Sequence, residues 1–183
     1  MRVLVVIAHP DAHSFTRALA AEFIAGAEAA SHTVDIADLY AEGFDPVLPP
    51  GEAANFSSPP LVVAAYQNRL HEADALALAY PVWWAAPPAI LQGWLQRVLT
   101  RGFAFDYGPQ GRVGLLRHSA RLLINVGTRD ESLFSQYVSP MVGVLEYCGM
   151  TVTACASFGV YGGGDPARRR QALAAAHTAG RTL

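Results

Sequence analysis

Cysteine is almost absent from this sequence: Cys148 and Cys155 are the only two in 183 residues. Two cysteines exclude a disulfide framework. A basic block is missing too. Lys and Arg total 13 against 15 Asp and Glu, a formal charge of −2. That balance gives no footing for a nucleic-acid partner, whose phosphates call for clustered cations. The one basic run, Arg168-Arg169-Arg170, opens a helical segment and reads as a solvated face. No apolar run approaches the roughly eighteen residues of a membrane span. The apolar start Val3–Ala8 is broken by His9-Pro10, too soon for a signal peptide. The expected location is therefore cytoplasmic. Neither G-x-G-x-x-G nor a Walker loop follows that first apolar run, which excludes a dinucleotide fold of the usual kind.

What is abundant is apolar surface. The chain is 52% hydrophobic and 15% charged. Such a balance implies a sheet covered on both faces, or apolar surface buried between subunits. The length fits one domain, residues 1–183, with a sizeable core.

Strand and helix patterns alternate along it. Val3–Ala8 is a continuous apolar run rich in β-branched residues, the mark of a strand buried on both faces. Ser14–Ala30 predicts a helix with Phe15, Leu19 and Phe23 on one side and His13 or Ser14 as its N-cap. Thr33–Ala37 is a short second strand. Phe44–Pro60 carries five prolines and predicts an irregular excursion. Leu61–Ala73 is helical, and Ala75–Tyr80 is a third buried strand ending at Pro81. Pro88–Thr100 is an amphipathic helix with Trp94 on its core side. Gly102–Gly114 reads as loop, Ala120–Val126 as strand four, and Phe134–Cys148 as a helix stopped by Gly149. Thr151–Phe158 is strand five, Tyr161–Gly164 a glycine loop that borders the crevice, and Asp165 caps a last helix from Pro166 to about Ala179. Five strands and five helices in alternation predict an α/β fold: a flavodoxin-like three-layer sandwich with a five-stranded parallel sheet in the order 2-1-3-4-5. Ligands in such sheets lie beyond the carboxyl ends of the strands. The loops after strands one, three and four, at His9–Thr16, Pro81–Pro88 and Asn125–Asp130, are the places for chemistry.

The first of these loops, A-H-P-D-A-H-S-F-T, admits two chemistries. A-H-P-D resembles the opening of the zinc-dependent N-deacetylases, yet Ala12 and His13 stand where their second carboxylate belongs. No close pair among the other histidines supplies the third ligand a catalytic zinc needs; no metal site is assigned. A phosphate is the other possibility, held by backbone N–H groups at the helix start, the hydroxyls of Ser14 and Thr16, and the ring N–H or charge of His9. The loop after strand three favours the phosphate. Trp83 and Trp84 are adjacent in an extended segment, so they point in opposite directions, and at least one faces a ligand crevice or a partner. An aromatic plane beside a phosphate cradle suits a planar ligand that carries phosphate, such as a flavin nucleotide.

At this point Y-P-V-W-W-A-A-P-P-A-I-L-Q-G-W-L-Q-R-V (80–98), G-F-A-F (102–105), the first loop and the strand end at 124–128 together resemble the flavodoxin-like NAD(P)H:quinone oxidoreductase family. That family includes mammalian quinone reductases, bacterial drug-activity modulators and ancillary subunits of glutathione-gated potassium efflux systems. The resemblance implies a bound FMN or FAD and NAD(P)H as co-substrate. By position, His9, Ser14, Phe15 and Thr16 match the phosphate-binding loop. Pro81, Val82, Trp83 and Trp84 match the segment along the isoalloxazine ring. Asn125, Val126, Gly127 and Thr128 fall where the family often has Thr-Thr-Gly-Gly. A Tyr and a His assist hydride transfer in the better-studied quinone reductases; here L-F-S-Q-Y-V-S offers Tyr137 but no His. Tyr137 is thus the single weak candidate for a catalytic residue. The implied mechanism has two steps: hydride passes from NAD(P)H to the flavin, and a quinone-like acceptor then takes it from the same site. The resemblance also implies a homodimer, with Phe103, Phe105 and Tyr107 as interface candidates. A regulatory subunit of an ion-efflux system is the alternative function, and a zinc deacetylase a distant one.

Overall fold

A computed structural model describes residues 1–52, 58–160 and 165–183. Five strands make one parallel sheet: β1 (Arg2–Ile7), β2 (Thr33–Asp38), β3 (Ala75–Val82), β6 (Ser119–Val126) and β7 (Thr151–Phe158), in the order β2-β1-β3-β6-β7. Counting only the sheet strands, that is 2-1-3-4-5. The remaining two, β4 (Phe105–Gly108) and β5 (Gly111–Gly114), form a separate antiparallel hairpin. The helices are α1 (Phe15–Ala29), α2 (Leu61–His71), α3 (Ala89–Val98), α4 (Phe134–Tyr147) and α5 (Pro166–Arg181).

Alternation along each strand divides the core in two. Val3, Val5 and Ile7 join Phe15, Leu19 and Phe23 of α1 and Ala176 of α5. Leu4, Val6, Leu78, Tyr80, Leu122 and Ile124 face the other way, onto α2, α3 and α4, around the fully buried Trp94. The result is the three-layer sandwich. The α1–α5 crossing is unusually close: a Cβ on Gly26 would lie 2.0 Å from the His177 carbonyl oxygen, and one on Gly180 would lie 2.1 Å from that of Phe23. Among the described residues, no helix is long and apolar enough to cross a membrane.

Three expectations need correcting. The segment Gly102–Gly114 is not plain loop, since Phe105↔Gly114 and Tyr107↔Arg112 pair across the hairpin. Strand β3 does not end at Tyr80; Pro81 pairs with Asn125 and Val82 with Val126. The proline is tolerated because Ala79, two residues earlier, accepts the Ala8 N–H on the β1 side. Pro81 faces that same side beyond the end of β1, where no ladder donor is required. The last helix runs past Ala179 to Arg181. The glycine loop at 161–164, and 53–57 of the proline-rich excursion, lie outside the described residues.

Candidate functional site

The carboxyl ends of β1, β3 and β6 meet at one end of the sheet, and with them the three loops. Turn chemistry fixes the first loop. The Asp11 N–H donates to His9 Nδ1 (3.0 Å), the His13 N–H to Asp11 Oδ1 (2.8 Å), and the Ser14 N–H to the Asp11 carbonyl (3.2 Å). Ser14 is the N-cap of α1, accepting from the Arg17 N–H at 3.3 Å. One nitrogen of His9, Nδ1, and one oxygen of Asp11, Oδ1, are thereby engaged by the turn itself. Among the described residues no three His, Cys, Asp or Glu side chains are grouped to hold a metal.

Arg17 braces the loop from below. It donates to the His9 carbonyl (3.1 Å) and pairs with Asp38 at the end of β2 (2.5 Å). Burial works against ionised Asp38, but the Arg17 guanidinium and the Ala41 N–H outweigh it and hold its carboxyl below the usual range. His9 moves the other way. Partial burial, opposed by Asp11, lowers its pKa. With Nδ1 acting as an acceptor, the neutral ring carries its proton on Nε2 and offers one N–H donor. Because the folded pKa lies below the free value of 6.5, protonation favours the unfolded chain, and stability falls as pH drops through and below 6.5. A histidine-detected NMR titration should therefore place the His9 midpoint below that of a freely exposed histidine; a midpoint above 6.5 would contradict the geometry.

What this loop leaves open is a set of donors. Among the described residues, neither the Phe15 nor the Thr16 N–H has an acceptor, as expected in the first turn of a helix. Thr16 is buried, and its hydroxyl has no hydrogen-bond partner. An orphaned buried hydroxyl beside two free N–H groups at a helix start is a cradle for an anion. One group here escaped the sequence reading. The Arg169 guanidinium, taken as part of a solvated face, lies over the Phe15 ring at 4.7 Å from its centre. It reaches the first residue of α1 from a distant stretch of the chain, a placement that only the fold reveals.

The loop after β3 supplies the aromatic wall. Trp83 and Ala86 close a two-residue turn through paired backbone hydrogen bonds (2.9 and 3.1 Å). Both central residues, Trp84 (φ 52°) and Ala85 (φ 61°), are left-handed. This is the pattern a tight hairpin demands, normally met by Asn-Gly. Non-glycine residues held there cost about 1 kcal/mol or more each. The segment is therefore a turn rather than the extended stretch expected, and it is the turn that parts the two tryptophans: Trp83 packs edge-on against the His9 ring, centres 5.3 Å apart, whereas Trp84 is fully exposed. The His9–Trp83 contact ties the first loop to the third.

At the end of β6, Asn125 is half-buried and Val126 is buried; just beyond it Gly127 is open, with nothing within 4 Å of a notional Cβ. Thr128 Oγ1 accepts the Asp130 N–H at 3.2 Å. The structure thus gathers His9, Ser14, Phe15, Thr16, Pro81–Trp84 and Asn125–Thr128 at one sheet end. Tyr137 is different. It packs half-buried against the α2–α4 core from the first turn of α4, and no hydrogen bond orients its hydroxyl among the described residues.

Comparison with known proteins agrees with the fold. Residues 1–180 match the Flavodoxin_2 family, described as a flavodoxin-like fold. The chain is 32% identical over 163 residues to an uncharacterized NAD(P)H oxidoreductase of Haemophilus influenzae, covering 82% of this chain and 79% of that one. It is 30% identical over 182 residues to the ribosyldihydronicotinamide dehydrogenase [quinone] of Mus musculus, covering 84% and 79%. Among solved structures it resembles an NAD(P)H:quinone oxidoreductase from Methanothermobacter marburgensis, with a TM-score of 0.88, 31% identity, and 100% and 98% of the two chains covered.

Proposed function

This chain belongs to the Flavodoxin_2 family and is an oxidoreductase, and from that premise we propose that it is a flavin-dependent NAD(P)H:quinone-type reductase, its whole length serving as one flavin-binding domain in the cytoplasm. The observation that carries the reading is the unpartnered Thr16 hydroxyl beside the open N–H groups of α1, with an aromatic segment at the neighbouring strand end. When bound there, flavin would supply the hydride-transfer chemistry.

The chain's own residues do the rest. The Phe15 and Thr16 N–H groups, the Thr16 hydroxyl and the His9 Nε2–H would hold the phosphate. Pro81–Trp83 would line the ring, and the fully exposed Trp84 would be free to stack on whatever enters beside it. Main-chain N–H groups at Gly127 and Thr128 would serve the ring's polar edge as hydrogen-bond donors. Tyr137 is the one candidate offered for proton transfer, its hydroxyl having no hydrogen bond among the described residues. Relatives named as quinone reductases make a quinone-like acceptor the first to try. A homodimer is supported by the apolar groove of about 460 Å³ between α3 and α4, lined by Leu95, Leu99, Phe105, Val144 and Tyr147, with Tyr107, Val113 and Leu115 exposed on the hairpin.

The test is an absorbance spectrum of the purified protein with FMN or FAD, then with NADH or NADPH, then with a quinone. A flavin band that bleaches and returns supports the reading. Failure of both flavins to bind overturns it. Thr16→Val keeps the shape and removes the hydroxyl. It should weaken flavin binding by about tenfold, the worth of one hydrogen bond to a charged group, while raising the melting temperature of the ligand-free chain, because a buried hydroxyl without a partner costs stability. An unchanged dissociation constant would show that the hydroxyl does not face the ligand.

A further inference from the structure

Asn125 stands at the carboxyl end of β6, directly opposite Ser157 of β7 in the parallel register. Both side chains lie on the α1–α5 side of the sheet, the side of Leu123. Ser157 is buried, and its hydroxyl sits 3.2 Å from the Ile124 carbonyl oxygen and 3.3 Å from Asn125 Oδ1. A hydroxyl has one proton, here shared between two acceptors that both belong to β6. With Oδ1 turned to Ser157, the Asn125 Nδ2 group is turned away from it. Among the described residues it has no acceptor.

We propose that Ser157 is a positioning residue, which fixes the Asn125 carboxamide so that its two N–H donors serve the electron-rich pyrimidine edge of the bound flavin. This rests on the flavin reading above and deepens it. A hydroxyl at position 125, the threonine often found there in the family this chain resembles, would offer one rotatable donor; a carboxamide offers two in a fixed plane. Reduction places negative charge on that edge of a flavin. A preset donor pair therefore binds the reduced form better than the oxidised one and makes the bound flavin easier to reduce. Without Ser157 the carboxamide is free to rotate, and the preference fades. The competing account is that Ser157 merely satisfies its own buried hydroxyl on the Ile124 carbonyl. That account predicts a change in stability and nothing at the flavin.

The experiment is a spectroscopic redox titration of FMN bound to the full chain, together with the oxidised dissociation constant and the side-chain amide resonances of Asn125. Asn125→Asp keeps the shape and the Ser157 contact while replacing the donors by a carboxylate oxygen. It should weaken reduced FMN relative to oxidised FMN by about tenfold, a fall of about 30 mV for a two-electron couple. Ser157→Ala should lower that ratio about threefold, and Ser157→Thr should restore it. The Asn125 amide pair should shift when FMN is added. If Ser157→Ala lowers only the melting temperature, with potential and amide resonances unchanged, the inference fails while the flavin reading stands. If the native chain binds neither FMN nor FAD, both fall together.

Discussion

Gly180→Ala is expected to lower stability by about 3 kcal/mol, a drop of roughly 6–12 °C in melting temperature for a chain of this size. The argument is steric. The added methyl would sit 2.1 Å from the Phe23 carbonyl oxygen and 2.9 Å from the Ala27 nitrogen, both backbone atoms of α1. Backbone cannot rotate aside as a side chain can, so the two helices must separate. Gly26→Ala makes the reciprocal clash with the His177 carbonyl and should cost a similar amount. The helix propensity gained on replacing glycine, about 1 kcal/mol, is too small to reverse the sign. Thermal and urea unfolding of the two variants would check this; melting temperatures within a degree of the native chain would mean that the helices are not in contact as described. Because α1 also begins with the anion cradle, both variants should loosen flavin binding along with the fold.

Arg97→Met should cost a comparable 3–5 kcal/mol for a different reason. The Arg97 guanidinium and the Glu52 carboxylate are each less than a tenth exposed and meet through two hydrogen bonds of 2.8 and 2.9 Å. Arg97 also donates to the Asp45 carbonyl (2.6 Å) and lies over the Phe44 ring. Removing it leaves a buried, unpaired carboxylate and unpins the segment 44–52 from α3, where Pro46 already leaves no room for a side chain at Gly93. Most of the penalty is the stranded charge. The double variant Arg97→Met/Glu52→Leu should therefore recover the greater part of the loss. A double variant no better than the single would locate the energy in the Asp45 and Phe44 contacts instead.

How much of this was visible in the sequence follows from the range of the interactions. The sheet strands announced themselves through short apolar runs such as Val3–Ala8, and helix ends through Ser14, Gly149 and Asp165, each a local signal with a local cause. The β4–β5 hairpin was hidden because its strands are only four residues long and Gly108, Gly111 and Gly114 stand at their ends, which imitates a loop. The Trp83–Ala86 turn was hidden because Trp-Ala is an improbable pair for left-handed backbone. The loops of the site were legible by their place at strand ends. What was not legible is whatever depends on two distant segments meeting: Arg169 on Phe15, Arg17 on Asp38, Ser157 on Asn125. No spacing rule predicts those contacts.

The left-handed pair Trp84-Ala85 sets a choice for anyone wishing to stabilise this protein. Glycine at 85 would remove a steric penalty of about 1 kcal/mol in the folded chain, yet it would also widen the unfolded ensemble. More to the point, it would slacken the two-residue hairpin from which an entirely uncovered indole projects. A rigid mount under an exposed aromatic favours binding because little rotational freedom remains to be lost when a second ring arrives. Robustness and readiness therefore pull in opposite directions at this one turn, and a library selected for heat resistance alone would be expected to blunt the crevice there first.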